Sequence, residues 1–179
     1  MEFYKLRFTD YELRTIKMTI KNTKSKGFSI TSNGSEAILK GDHIELIRPT
    51  DEGNQEPYEI RSSGEYDLGR IGVEASKISN ADGLCYLLFA DEITVGYFPF
   101  PPEQMTEKII EKFDTIDILL IDGNAGEIAE TLSPGIIIPL NNGEEFAKYR
   151  GAALPEVSNT LTINSSDQLP EETTVINLG

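Results

Sequence analysis

The stretch Gly41-Asp42-His43-Ile44-Glu45 gathers the residue types that a divalent metal ion needs, an imidazole with a carboxylate on either side. Imidazole nitrogen and carboxylate oxygen supply lone pairs to an ion that can then lower the pKa of its bound water. His43 is the single histidine of the chain, and Cys85 its single cysteine. A zinc site takes three or four protein ligands, so Asp42, His43 and Glu45 fall short by themselves. Their alternating, strand-like setting favours an exposed or hydrogen-bonded structural histidine, with the metal set as the lesser candidate.

Other chemistries are thinner still. Gly-x-Ser-x-Gly is absent, and a lone His without an evident orienting partner makes a poor general base for a serine nucleophile. Gly123-Asn124-Ala125-Gly126 stands between an apolar run and a helical pattern. It lacks the Lys of a P-loop and the third Gly of a dinucleotide fingerprint, so it serves to turn the chain. The acidic pairs Asp51-Glu52 and Glu144-Glu145 have no calcium-loop spacing and read as solvated charge. Cys85 lies in Leu84-Cys85-Tyr86-Leu87-Leu88-Phe89, where a thiol behaves as a small buried hydrophobe.

The elements that would position these groups are legible from periodicity. Met18 and Ile20 alternate with Lys17, Thr19 and Lys21, which predicts a half-buried strand continued by Phe28 and Ile30 up to the turn Asn33-Gly34. Strands are expected at 37–39 and 43–47, and residues 49–57, rich in Pro, Gly and acids, form a loop. Ile71, Val73 and Ala75 alternate, Ala81-Asp82-Gly83 turns the chain into a strand at 84–89, and Ile93, Val95 and Tyr97 form the next. The prolines at 99, 101 and 102 end that strand ahead of a helix over 103–113, with Met105, Ile109 and Phe113 as one stripe. Ile116–Ile121 is continuously apolar, as in a strand buried on both faces. A short helix at 126–132 leads to a strand at 136–140. Alternation of strands and helices over 93–140 argues for parallel neighbours covered by helices, and the antiparallel first half for a mixed sheet or two sheets.

Composition bounds the function classes. The 179 residues suit a single domain with a real core. Thirty acidic against sixteen basic residues give a net charge of −14, which repels phosphate backbones and anionic membranes. The basic residues crowd the start (Lys5, Arg7, Arg14, Lys17, Lys21, Lys24, Lys26) and read as a solvated strand face. One cysteine allows no disulfide framework, no apolar run approaches the ~20 residues of a membrane span, and no leader pattern is present, so a cytoplasmic location is expected.

Ser63-Gly64-Glu65-Tyr66-Asp67-Leu68-Gly69-Arg70-Ile71-Gly72-Val73 resembles a Gly-Pro-Gly-Glu-Tyr turn of metallo-β-lactamase-fold hydrolases, specifically the small prokaryotic Zn-dependent group akin to L-ascorbate-6-phosphate lactonase. Phe113-Asp114-Thr115-Ile116-Asp117-Ile118-Leu119-Leu120-Ile121-Asp122, Pro134-Gly135-Ile136-Ile137-Ile138-Pro139-Leu140-Asn141 and Leu161-Thr162-Ile163 follow in the family's order and spacing. The match covers roughly 58–179. It implies a shortened α/β fold, an αββα sandwich with two mixed sheets, over one domain at 1–179.

The resemblance also implies where metal ligands would stand. A bridging Asp would fall at Phe98-Pro99 and a closing His at Asn141, while 76–81 offers no His. In the family Glu65-Tyr66 braces the sheet near the metals, and a buried Tyr hydroxyl and carboxylate satisfying backbone groups is the expected role here. Tyr97, Phe98 and Phe100 either plug the old cleft or form an apolar patch for a partner. The implied reading is a catalytically inactive binding or scaffold protein with no catalytic residue and no cofactor. Its partner would be another protein or a second copy, neither nucleic acid nor membrane. The alternatives are a divergent hydrolase, with one metal at Asp42 and His43 or with metal-free chemistry by Glu65 and Asp67, and a dimer partner of an active paralogue.

Overall fold

The computed structural model describes residues 17–24, 27–48, 56–67, 69–78, 83–102 and 104–179. The expectations for Lys5, Arg7, Arg14, Lys26, Asp51-Glu52, Leu68, Ala81-Asp82 and Glu103 lie outside them. In chain order the elements are β1 (Met18–Asn22), β2 (Phe28–Ser32), β3 (Ser35–Leu39), β4 (Ile44–Ile47), β5 (Tyr58–Ile60), β6 (Gly64–Asp67), β7 (Ile71–Lys77), β8 (Leu84–Ala90) and β9 (Ile93–Phe98). Then come α1 (Glu107–Phe113), β10 (Ile118–Ile121), α2 (Gly126–Leu132), β11 (Ile136–Pro139), α3 (Gly143–Tyr149), β12 (Thr160–Ile163), a 3-10 turn (Ser166–Gln168) and β13 (Thr174–Val175).

Two sheets stack face to face. One has six strands in the order β12-β1-β2-β3-β4-β5, antiparallel throughout. The other has seven in the order β13-β11-β10-β9-β8-β7-β6. It is antiparallel from β6 to β9 and parallel across β9, β10, β11 and β13. Mixed pairing therefore belongs to one sheet, because the helical crossovers fall only after β9 and parallel neighbours require them.

The core follows from side-chain alternation. Met18, Ile20, Ile30, Ile44 and Ile60 meet Val73, Tyr86, Val95, Ile118 and Ile138 between the sheets. The opposite side of the seven-stranded sheet presents Cys85, Leu87, Phe98, Leu119, Ile121 and Ile137 to Ile109 and Phe113 of α1, Ile128 and Leu132 of α2, and Phe146 of α3. β10 is buried at all four positions, because alternate residues serve these two cores. Among the described residues the helical cover lies on this one sheet. None of the described helices is long and apolar enough to cross a membrane.

Several boundaries differ from the sequence expectation. The helix after the prolines starts at Glu107 rather than 103, since Thr106 is extended (φ −91°, ψ 156°) as its N-cap. Met105 still packs on the same cluster from outside the helix. Glu65 and Tyr66 lie in strand β6 instead of a turn, paired with Glu74 and Val73. The strands expected at 37–39 and 43–47 span 35–39 and 44–47, and α3 had no counterpart in the sequence reading.

One clasp joins the two sheets at their far end. Asn33-Gly34 turns the β2–β3 hairpin with φ of 47° and 86°, as a two-residue type I′ turn requires. Ser32 Oγ and Asn33 Nδ2 donate to the Asp91 carboxylate in the β8–β9 turn at 2.6 and 2.7 Å. Ser32 is buried, so losing this acceptor strands its hydroxyl. Asp91→Ala is expected to cost about 1–3 kcal/mol, read as a lower urea midpoint. Asp91→Asn keeps an acceptor oxygen and a side chain that tolerates the φ of 55° found here, and should lose less.

Candidate functional site

The carboxyl ends of β9, β10 and β11 lie side by side, in register Gly96–Leu119–Ile137, and open-sheet ligands bind at such ends. Phe98 closes β9 with its ring fully buried on the helical side, 4.6 Å from the Phe113 ring. Tyr97 points the opposite way, into the space between the sheets. It stacks on Tyr86 at 5.7 Å and donates its hydroxyl to the Lys40 carbonyl. Burial raises the Tyr97 phenol above its usual range. It also pushes Tyr86 up to about 12, and the buried Tyr86 hydroxyl finds no hydrogen-bond partner among the described residues. Phe100 is the surface aromatic of the trio, 43% exposed, and it leans on Gly83, where a Cβ would meet its ring at 2.4 Å.

Asn141 follows β11 and is exposed. Its carbonyl accepts from Gly123 N at 2.9 Å, and the Asp122 carboxylate accepts from Asn142 Nδ2 and from Asn124 N. These bonds tie the β10 and β11 ends together. A cavity of about 410 Å³ opens beside them, lined by Leu140, Asn141, Glu144, Leu154 and Asn177. Phe98 and Pro99 put no metal donor on this rim, and Asn141 contributes only a neutral amide. The two-metal centre that the resemblance implies does not fit these residues.

Tyr66 is half-buried, and its hydroxyl donates to the Ser62 carbonyl at 3.0 Å, with Ser62 Oγ 2.9 Å away. Its ring meets Tyr58 at 5.9 Å, joining the edge strands of the two sheets. Glu65 is exposed, which corrects the expectation of a buried carboxylate. On edge strand β6 this residue points away from the sheet interface.

The metal-type residues at 42–45 acquire partners that sequence spacing could not show. Glu45 and Glu59 are direct cross-strand partners on the outer face of the six-stranded sheet, opposite the inward-facing Ile44 and Ile60. His43 is buried to 8% exposure. Its Nδ1 lies 2.6 Å from Asp42 Oδ1 and its Nε2 3.6 Å from Glu45 Oε1. One ring nitrogen of His43 and one carboxylate oxygen each of Glu45 and Glu59 all come within 4.8 Å of one another. Arg61 spans the cluster, with Nε on Glu59 at 2.7 Å, Nη1 on Asp42 at 3.1 Å and Nη2 3.4 Å from His43 Nε2. Glu59 and Arg61 were missed. Their only sequence signal is the alternation Tyr58-Glu59-Ile60-Arg61, which sets a shared face without saying which strand lies opposite.

Hydrogen bonds from His43 and Arg61 hold Asp42 below its ordinary 3.8, and the Arg61 bond holds Glu59 below 4.5. Both carboxyls therefore titrate lower in the folded chain than in the unfolded one. Their support is complete above those ordinary values and is lost as pH falls through the depressed ones. Elsewhere, burial pushes the Cys85 thiol up to about 12, which keeps it protonated and unreactive.

No protein-family model matches the sequence, and no curated protein matches it significantly. A solved structure from Thermotoga maritima, described provisionally as a Zn-dependent hydrolase of the metallo-β-lactamase superfamily, aligns with TM-score 0.64 and 17% identity. The alignment covers 89% of this chain and 98% of that one. At that identity the likeness shows the fold, and the two stacked sheets are a shortened metallo-β-lactamase-like sandwich.

Two measurements follow from the site. Phe98→Ala should cost about 3–5 kcal/mol in denaturant unfolding by emptying a buried aromatic site, while Phe100→Ala should cost far less. Arg61→Ala should flatten part of the fall of the urea midpoint below about pH 4.5, the ordinary value of Glu59, because Glu59 then loses the bond that lowers it while His43 still holds Asp42 down.

Proposed function

We propose that this chain is a metallo-β-lactamase-like domain of the Zn-dependent hydrolase type whose cleft no longer holds the two-metal centre, and that it works as a binding or scaffold protein. One observation carries the reading. At the strand ends where the resemblance places a bridging carboxylate and a closing histidine, the chain has Phe98-Pro99 and Asn141, and Phe98 is committed to the helical core against Phe113. A water nucleophile at neutral pH needs an ion to depress its pKa; at this rim Phe98-Pro99 and Asn141 supply neither carboxylate nor imidazole, and the nearby Asp122 carboxylate is occupied by Asn124 N and Asn142 Nδ2.

What remains at the surface there suits contact with another protein. Phe100 is exposed beside Gly83, and Asn141 offers a neutral amide at the cavity rim. The net charge of −14 disfavours nucleic acid and anionic membrane as partners. A single buried cysteine is in keeping with a cytoplasmic location. The second reading is a divergent hydrolase using His43, and the nearness of His43 to Glu45 and Glu59 is what favours it.

Activity separates the two. Purified protein, with and without added Zn²⁺ or Mn²⁺, is expected to show no turnover of lactone, carboxylic ester or phosphodiester substrates above the buffer rate. Metal-dependent turnover that disappears in His43→Ala would replace the scaffold reading with the hydrolase one.

A further inference from the structure

We infer that His43, Glu45 and Glu59 form a divalent transition-metal site on the outer face of the six-stranded sheet, and that Arg61 caps it when no ion is bound. Asp42 is the positioning residue. Its carboxylate oxygen lies 2.6 Å from Nδ1 and serves as the acceptor for a proton on that ring nitrogen. That leaves Nε2 as a bare lone pair directed to the side where Glu45 Oε1 sits at 3.6 Å. A carboxylate behind a ligating histidine is the usual outer-shell arrangement of a metal site.

The distances fit an ion after small side-chain movement. Tetrahedral zinc with bonds near 2.0–2.2 Å sets neighbouring ligand atoms about 3.3 Å apart. The His43–Glu45 pair is close to that spacing, and all three donors lie within 4.8 Å of one another. Glu59 is exposed and turns inward once Arg61 Nε, 2.7 Å away, releases it. Three protein ligands leave one position for water, and a borderline-soft nitrogen with two carboxylates suits Zn²⁺ or Co²⁺ better than Ca²⁺.

Charge gives an independent reason. Glu45 and Glu59 stand directly opposite each other, a placement that destabilises a sheet unless a cation lies between them. Lys40 reaches Glu45 only at 3.7 Å. Arg61 supplies the rest of the compensation through Glu59, Asp42 and the edge of His43. Its side chain is half exposed and borders a cavity of about 310 Å³ shared with Ser62, Ser63, Lys77 and Leu84. There is room for the guanidinium to swing aside while it keeps Asp42. Arg61 and the metal ion thus compete for one place, and the site is separate from the strand-end cleft and from any loss of hydrolysis there.

Titration of metal-free protein with Co²⁺, followed by visible absorption, tests this with the metal alone as probe, and Zn²⁺ displacement then gives the affinity. Wild type should bind one ion in a low-coordinate nitrogen–oxygen environment. Arg61→Ala should bind more tightly, and Asp42→Asn about 10- to 100-fold more weakly. His43→Ala and the exposed Glu59→Gln should both lose the site, with circular dichroism showing each variant folded. Absence of one-to-one binding in wild type overturns the proposal, even if Arg61→Ala binds. Binding that persists in Glu59→Gln or His43→Ala overturns it as well. Because the readout is binding, its failure leaves the outcome of the turnover assays unaffected.

Discussion

The seven-stranded sheet is apolar on both faces, and the rest of the molecule is arranged around that demand. A sheet face left in water would expose Val95, Tyr97, Ile118, Leu120 and Ile138, all buried to 3% exposure or less. The six-stranded sheet covers them. The other face carries Leu119, Ile121 and Ile137 and is covered by the three helices. Parallel pairing of β9, β10 and β11 is possible only because those helices provide crossovers, and it places all three carboxyl ends on one rim. The cavity beside Asn141 sits there as a consequence of layer packing.

On that rim, aromatic side chains divide between the two cores by strand alternation. Tyr97 and Phe98 are neighbours in sequence, yet one stacks on Tyr86 between the sheets and the other on Phe113 under the helices. Neither fills open cleft volume. Their mass consolidates the strand end from both sides, and Phe100, beyond the strand, is the residue left to meet solvent. At Phe98 the strand end is committed to the helical core, with its ring against Phe113.

The charged corner of the six-stranded sheet obeys a different constraint. Cross-strand register sets Glu45 against Glu59, and an adjacent His43–Asp42 pair adds another anion. Arg61 answers with five donors in a planar fork, which can reach three partners at once where a lysine would reach fewer. This corner is the one place among the described residues where His and carboxylates approach closely enough for an ion.

Periodicity in the sequence was sufficient for most of the fold. The alternation of Met18 and Ile20, the Asn33-Gly34 turn, the apolar run at 116–121 and the helix at 126–132 are local signals, set by backbone geometry and side-chain period. The order of the Gly64-Glu65-Tyr66 segment, the Ile118–Ile121 strand and the Ile136–Pro139 strand likewise pointed to the metallo-β-lactamase-like sandwich. Helix starts were harder: Thr106 is a favoured N-cap type in its usual extended conformation, but the prolines just before it offered a competing start. Asp42, His43 and Glu45 could be named as a partial ligand set from spacing alone. Glu59 and Arg61 could not, since a residue fourteen positions beyond Glu45 becomes its neighbour only through the β4–β5 register. Sequence by itself determined which residue types were present and which faces they shared. Tertiary structure decided which faces met, and so whether a lone histidine had company, because nonlocal pairing is settled by burying both sides of a sheet at once.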